Sequence, residues 1–336
     1  MKRIAWLDLA KGITIFFVVL VHVLEGIYKT GQYRQFNFFA EATMGILFTF
    51  VMPVFFALSG FVYKPVSGCK ELLAGLKKKI ISLGVPYIIF SVIYVMLQHL
   101  GTDVHHLNSW QDLAHIGVLP IGYLWYLYVL FFVFVLVGLL SILNISPILQ
   151  LTIYLLLLVL SLSQIIHLPY ILQGVCMWTS SFYIGYLLKK KPLMLHDRLL
   201  FIMSVALFAL GCIVQANFGG STWFVTDMMT PTDVLAKLSS IPLFLYLFSH
   251  IKLGSVGNHF TDCGRYSLII YLVHAPAASV IRIALQKLGL ESYVLLVFLT
   301  LISAWCISLL VVRLVQNIPW LSLVFNPYQY PHRKQK

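Results

Sequence analysis

The chain has 336 residues, of which 60% are hydrophobic, 15% aromatic and only 10% charged, with a mean hydropathy of +0.91. A soluble domain carries roughly 45–50% apolar and about 25% charged residues, so the composition excludes a water-soluble globule and leaves no stretch for a soluble catalytic domain. The formal charge of +12, from 23 Lys+Arg against 11 Asp+Glu, fits either a nucleic-acid footprint on one face or cations sorted among membrane loops.

About 20 apolar residues cross a bilayer as a helix. Apolar runs at 5–27, 43–63, 80–99, 118–140, 148–166, 171–188, 199–216, 235–250, 264–285 and 293–316 predict ten spans. None alternates with period two, so helices are expected rather than a barrel. An even number of spans puts both termini on one side. With the N-terminus inside, about 16 of the 23 cations fall in inner segments and about three, Lys29, Arg34 and Lys287, in outer loops. The expectation is an all-α integral membrane protein: a polytopic bundle of about ten transmembrane helices, N-in and C-in, forming a single membrane domain over 1–336. Cations dispersed through alternate loops also argue against nucleic acid. The partner expected instead is the lipid bilayer.

Lys2 and Arg3 before an apolar stretch imitate a secretion signal, but Asp8 and Lys11 interrupt the run and no cleavage pattern follows, so the first helix is expected to stay. Of the five cysteines, Cys176, Cys212 and Cys306 fall within spans, and Cys69 and Cys263 lie in or beside inner loops. Neither a structural disulfide nor a cysteine metal site is expected.

Ionisable side chains inside a span are costly and point to function. The first helix holds Asp8, Lys11, His22 and Glu25. At about 100° per residue, Lys11 and His22 differ by only about 20° in azimuth, and Asp8 and Glu25 fall within about 60° of them. Lys11 and His22 are about 16 Å apart along the axis, which makes two stations. Asp8 and Lys11 can neutralise each other at i,i+3, and Glu25 can hold the tautomer of His22 as an orienting carboxylate does. The plainer reading makes Asp8 and Lys11 interface anchors and His22 a satisfied bundle histidine.

The residues then resemble a known family. Trp6-Leu7-Asp8-Leu9-Ala10-Lys11-Gly12-Ile13 followed by Val18-Val19-Leu20-Val21-His22 is similar to the first helix of the acyltransferase family 3 membrane proteins, in which a basic residue precedes a histidine by ten intervening positions. Phe50 to Phe61, ending in Ser59-Gly60-Phe61, resembles the family's second helix. Lys77-Lys78-Lys79 leading to Pro86-Tyr87 resembles its basic cytoplasmic loop, Leu124-Trp125-Tyr126-Leu127 its Trp-aromatic-Leu element, and Tyr266 to His274 its Ser…Tyr…His run. The five motifs occur in order over residues 1 to about 316, with the flavour of the fucose 4-O-acetylase-like, polysaccharide-modifying branch. One position departs: where the family often has a second basic residue three after Lys78, this chain has Ile81.

The resemblance implies transfer of an acyl group, usually acetyl, from cytosolic acyl-CoA to a hydroxyl of a glycan or glycolipid, with acetyl-CoA as co-substrate and no permanently bound cofactor. It implies His22 as base or nucleophile, Lys11 and Asp8 at the cytosolic mouth, Glu25 behind His22, and Tyr271 and His274 completing the site from the ninth span. Lys77, Lys78 and Lys79 would meet CoA phosphates, with Ser59, Trp125 and Tyr126 lining the donor path. Each also has a plainer reading: the lysine run as a headgroup anchor, the aromatics as bundle core or interfacial belt, and His274 as a helix-kink hydrogen bond beside Pro276.

Other features are weaker. His99, His105, His106 and His115 with Asp103 and Asp112 crowd one loop but match no metal-binding template, so no metal is expected. The outer loop from Asn217 to Asp233 mixes aromatics, hydroxyls and carboxylates as a sugar-contacting lid would. Walker A and dinucleotide glycine patterns are absent. The rival function is a transporter or flippase for a glycan or lipid-linked precursor, using His22, Glu25 and Lys11 as a relay; no inverted repeat supports it.

Overall fold

A computed structural model describes residues 4–101, 107–224, 228–252, 254–325 and 327. Among these the chain is all helix, without strands. The helices are α1 (Ala5–Tyr28), α2 (Asn37–Phe61), α3 (Cys69–Lys79), α4 (Val85–Leu100), α5 (Trp125–Ile142), α6 (Pro147–Ser163), α7 (Tyr170–Lys190), α8 (Arg198–Phe218), α9 (Val234–His250), α10 (Ser255–Arg265), α11 (Ser267–Lys287), α12 (Tyr293–Asn317) and α13 (Ser322–Phe325). Among the described residues, eight helical segments are long and apolar enough to cross a bilayer, and two shorter apolar helices, α6 and α9, stand where the remaining two spans are expected. The protein is an all-α polytopic membrane protein.

Local signals set several of the ends. Ser146 accepts from Leu149 N (3.3 Å) ahead of Pro147, which starts α6 without wasting a donor. Asp197 accepts from Leu199 N and Leu200 N at 2.8 and 3.2 Å and caps α8. The third expected span differs from the sequence expectation. Residues 69–100 form one helical run, so Lys77, Lys78 and Lys79 occupy the last turn of α3 rather than an irregular loop. Nothing in 69–79 breaks a helix, and the proline that follows is absorbed by a wide π-type turn, Ile80–Gly84, before Pro86. The amphipathic α10 is a further helix that an apolar run does not announce, because most of its residues are polar, charged or glycine.

Two compact units make up the chain. The first comprises residues 1–14, 41–73 and 132–265. In it α8 packs on α9, α6 on α7 and α7 on α9. Glycines set its closest crossings: a Cβ on Gly60 would collide with the Phe182 carbonyl, and one on Gly185 with the Ala57 carbonyl, so α2 and α7 touch backbone to backbone, as small residues allow in membrane bundles. Gly12 and Gly264 do the same where the start of α1 meets α10. We expect Gly60→Ala to destabilise by about 1–3 kcal/mol through overpacking, read as a lower melting temperature in detergent; an unchanged value would show that the crossing has slack. Cys263, on α10, is buried, and burial, reinforced by the neighbouring Asp262 carboxylate, pushes its thiol up to about 11. At pH 8 it stays protonated, because the folded pKa lies above that pH. A maleimide is therefore expected to label exposed Cys69 and spare Cys263 until the pH approaches 11 or the protein unfolds.

The second unit comprises residues 15–40, 74–131 and 266–336. Its frame is α11 against α12, with α4 meeting both α11 and α13. Aromatic pairs fill it, among them Phe16 with Trp305 (5.2 Å between centroids) and Phe90 with Phe325 (5.3 Å).

Candidate functional site

Within the second unit, α1 and α11 bring two imidazoles together. The rings of His22 and His274 lie 5.1 Å apart, tilted by 46°. His22 Nδ1 is 3.3 Å from Glu25 Oε2, one turn along the same helix. Glu25 Oε1 in turn accepts from Lys29 Nζ at 2.5 Å. A carboxylate only accepts, so Nδ1 of His22 carries the proton in this contact and Nε2 holds the lone pair. The row Lys29–Glu25–His22 follows from i,i+4 and i,i+3 spacing on one helix. Lys29, a loop cation by sequence position, is part of it.

His274 is fully buried, and its Nδ1 donates to the Tyr271 carbonyl at 2.6 Å. That again fixes the tautomer with the lone pair on Nε2, which has no hydrogen-bond partner among the described residues. A buried imidazole nitrogen left unpaired costs free energy, which a folded protein retains where the group has work to do.

Pro276, inside α11, explains how the site is walled. Proline has no N–H, so the Leu272 carbonyl loses its helical donor. Tyr123 supplies the replacement, donating its hydroxyl to Leu272 O at 2.7 Å. The Leu272 carbonyl is thus served by a tyrosine, while His274 bonds the Tyr271 carbonyl one residue earlier. Tyr271 donates back to the Tyr123 carbonyl, which closes a reciprocal clasp. The Tyr123 ring stands edge-on to His274 at 5.5 Å, and Tyr126 contacts Tyr271 at 5.6 Å. Gly122, at φ +50°, is the turn that aims Tyr123; a side chain there would press on the Tyr94 ring at 3.1 Å. Arg282 is buried on α11, bonded to Gln286 Oε1 (2.9 Å), whose amide reaches Gln32 Oε1 (2.9 Å).

The sequence candidates thus divide. His22, Glu25, Tyr126, Tyr271 and His274 gather in one cluster, and Trp125 is buried beside Tyr126, 6.5 Å between rings. Lys77 and Lys78 are exposed at the end of α3. Asp8, Lys11 and Ser59 belong to the first unit, where Asp8 Oδ2 lies 3.9 Å from Arg265 Nε and all three are partly buried. Sequence reasoning missed Tyr123, Lys29 and Arg282. Only Lys29 carried a usable signal, its position one turn after Glu25.

Of the histidine-rich loop, His105, His106 and Asp103 lie outside the described residues. His99 bonds the Asn108 carbonyl and stacks on Trp110, and His115 bonds the Gln111 carbonyl. No group of three or more metal-ligating side chains occurs among the described residues. Between α8 and α9, Trp223 packs on Gly45, its carbonyl accepts from Gln215 Nε2 at 2.6 Å, and Gln215 Oε1 accepts from Thr49.

The family model described as "Acyltransferase domain", of the acyltransferase 3 family, matches residues 4–313. Neither the comparison with curated proteins nor that with solved structures finds a match. With ten apolar helices among the described residues and a histidine pair at the heart of one unit, the chain belongs to the acyltransferase 3 family and is a membrane acyltransferase.

Proposed function

We propose that the protein is an O-acyltransferase of the plasma membrane that moves an acyl group, acetyl in the first instance, from cytosolic acyl-CoA to a hydroxyl of a cell-envelope polysaccharide or glycolipid. The observation that carries this reading is the pair His22 and His274, each with its Nδ1 proton committed to an oxygen and its Nε2 lone pair left for chemistry. Nε2 of His22 takes the proton of the acceptor hydroxyl, the oxygen attacks the thioester carbonyl carbon, the C–S bond breaks, and the CoA thiolate is reprotonated from the imidazolium. Glu25 orients the ring and stabilises its charged form in passing, as the third member of a triad does. His22 is the base because it is about one-quarter exposed, whereas His274 is sealed. In this reading Lys77, Lys78 and Lys79 attract the CoA phosphates electrostatically, and Trp125 and Tyr126 flank the donor path.

His22 sits six residues, about 9 Å, from the C-terminal end of α1. With the N-terminus inside, that is the half of the helix farther from the cytosol, which favours an acceptor outside. The test is mass spectrometry of envelope glycans from cells with the protein, without it, and with His22→Ala. Loss of the ester with normal glycan export supports the acyltransferase. Loss of export with acylation intact on inner precursors would instead support a transporter and overturn the proposal.

We expect Lys29→Ala to lower turnover by less than His22→Ala, because it removes only the outer partner of the orienting carboxylate. The check is kcat with purified protein; a loss as large as that of His22→Ala would give Lys29 a direct part in the chemistry.

A further inference from the structure

A second histidine pair lies in the first unit, apart from the catalytic residues, and nothing in the acyl-transfer reading uses it. His196 ends the short turn Pro192–His196 that precedes α8, and His250 is the last residue of α9. His196 Nδ1 and His250 Nε2 are 3.3 Å apart, with the rings at 77° and 5.0 Å between centroids. Both side chains are exposed.

His250 is held in place before any partner arrives. Its Nδ1 lies 2.8 Å from the Tyr246 carbonyl and 3.2 Å from Ser249 Oγ, and its ring stacks on Tyr246 at 4.1 Å. A carbonyl can only accept, so Nδ1 carries the proton and Nε2 presents its lone pair toward His196. A backbone carbonyl fixing the far nitrogen is how metal-bound histidines are oriented. The separation fits as well. Two nitrogens at about 2.0–2.1 Å from one tetrahedral ion stand about 3.3–3.4 Å apart, the separation of His196 Nδ1 and His250 Nε2.

We propose that His196 Nδ1 and His250 Nε2 are two ligands of a site for one borderline divalent transition-metal ion, Zn²⁺ or its neighbours, with water completing the coordination. Neutral imidazoles suit such ions. The two imidazoles themselves offer none of the carboxylate oxygens that Mg²⁺ and Ca²⁺ require. A bound ion would clip the α7–α8 connection to the end of α9, residues 54 apart in sequence.

The experiment uses the full-length, tag-free protein in nanodiscs, stripped with chelator and titrated with Zn²⁺ in a calorimeter. The wild type is expected to bind one equivalent saturably, and Zn²⁺ to raise its melting temperature. His196→Ala and His250→Ala are each expected to weaken binding by more than about 100-fold, beyond the cost of losing an outer-shell partner, and to abolish the thermal shift. His99→Ala, which alters an unrelated exposed histidine, should bind as the wild type does. Both test residues are exposed, so the folded state survives their loss, as size-exclusion elution will show. Absence of saturable binding in the wild type, or wild-type affinity in either single variant, overturns the proposal. No acyl transfer is measured, so the outcome is independent of the catalytic reading.

Discussion

Replacing His22 with alanine is expected to lower acyl transfer by the purified protein by about 10²–10⁴-fold, the usual contribution of a positioned general base, while leaving the melting temperature nearly unchanged. The two effects separate because His22 is partly exposed and its hydrogen bond with Glu25 is replaced for the carboxylate by Lys29, which stays in place at 2.5 Å. His274→Ala should behave differently. That ring is enclosed by Tyr123, Tyr271 and His22, so its removal leaves a cavity and lowers stability by about the cost of a large-to-small core substitution, about 2–5 kcal/mol, as well as turnover. Comparing the two variants distinguishes a base from a buried support. If His22→Ala retains full kcat and His274→Ala does not, the roles are exchanged and the sealed imidazole is the one that handles the proton.

How much of this site is legible in the sequence depends on what kind of contact makes it. The spans are readable because hydropathy is a property of a stretch; the ten expected runs and the ten apolar helices agree to within a few residues at most ends. The polar face of α1 is readable for the same reason that any helical face is: the spacing of His22, Glu25 and Lys29 is local. The bond from Tyr123 to Leu272 is not, because it needs both the carbonyl orphaned by Pro276 and a hydroxyl 149 residues away. Glycine crossings escape sequence reading likewise. Ser59-Gly60-Phe61 stands out as a motif, but the partner that makes Gly60 obligatory is the Phe182 backbone, and Phe61 owes its place to an edge-on contact with Trp6 at 5.1 Å. Lys237 illustrates the limit most clearly: counted by position it is one more cation at the edge of a span, and only the fold reveals that it is fully enclosed.

That enclosure gives the largest stability prediction. Lys237 and Asp233 are both 0% exposed, with Nζ 3.1 Å from Asp233 Oδ2, bonded to the Met228 carbonyl at 2.7 Å and 5.6 Å from the centre of the Trp178 ring. Asp233 Oδ1 accepts from Thr230 N, so the pair ties the segment 228–233 to the first turn of α9. Lys237→Ala strands a carboxylate in an apolar interior, and we expect it to cost about 3–5 kcal/mol. The Lys237→Met and Asp233→Leu double substitution removes both charges and keeps most of the volume, so it should recover much of that loss or exceed the wild type, as buried pairs replaced by apolar residues do. Melting temperatures of the wild type, Lys237→Met alone, Asp233→Leu alone and the double variant give the coupling directly. Two single variants each as stable as the wild type would mean that water reaches the pair. A double variant no better than the worse single one would mean that the segment 228–233 depends on the charges themselves and is held by an ion pair rather than by packing.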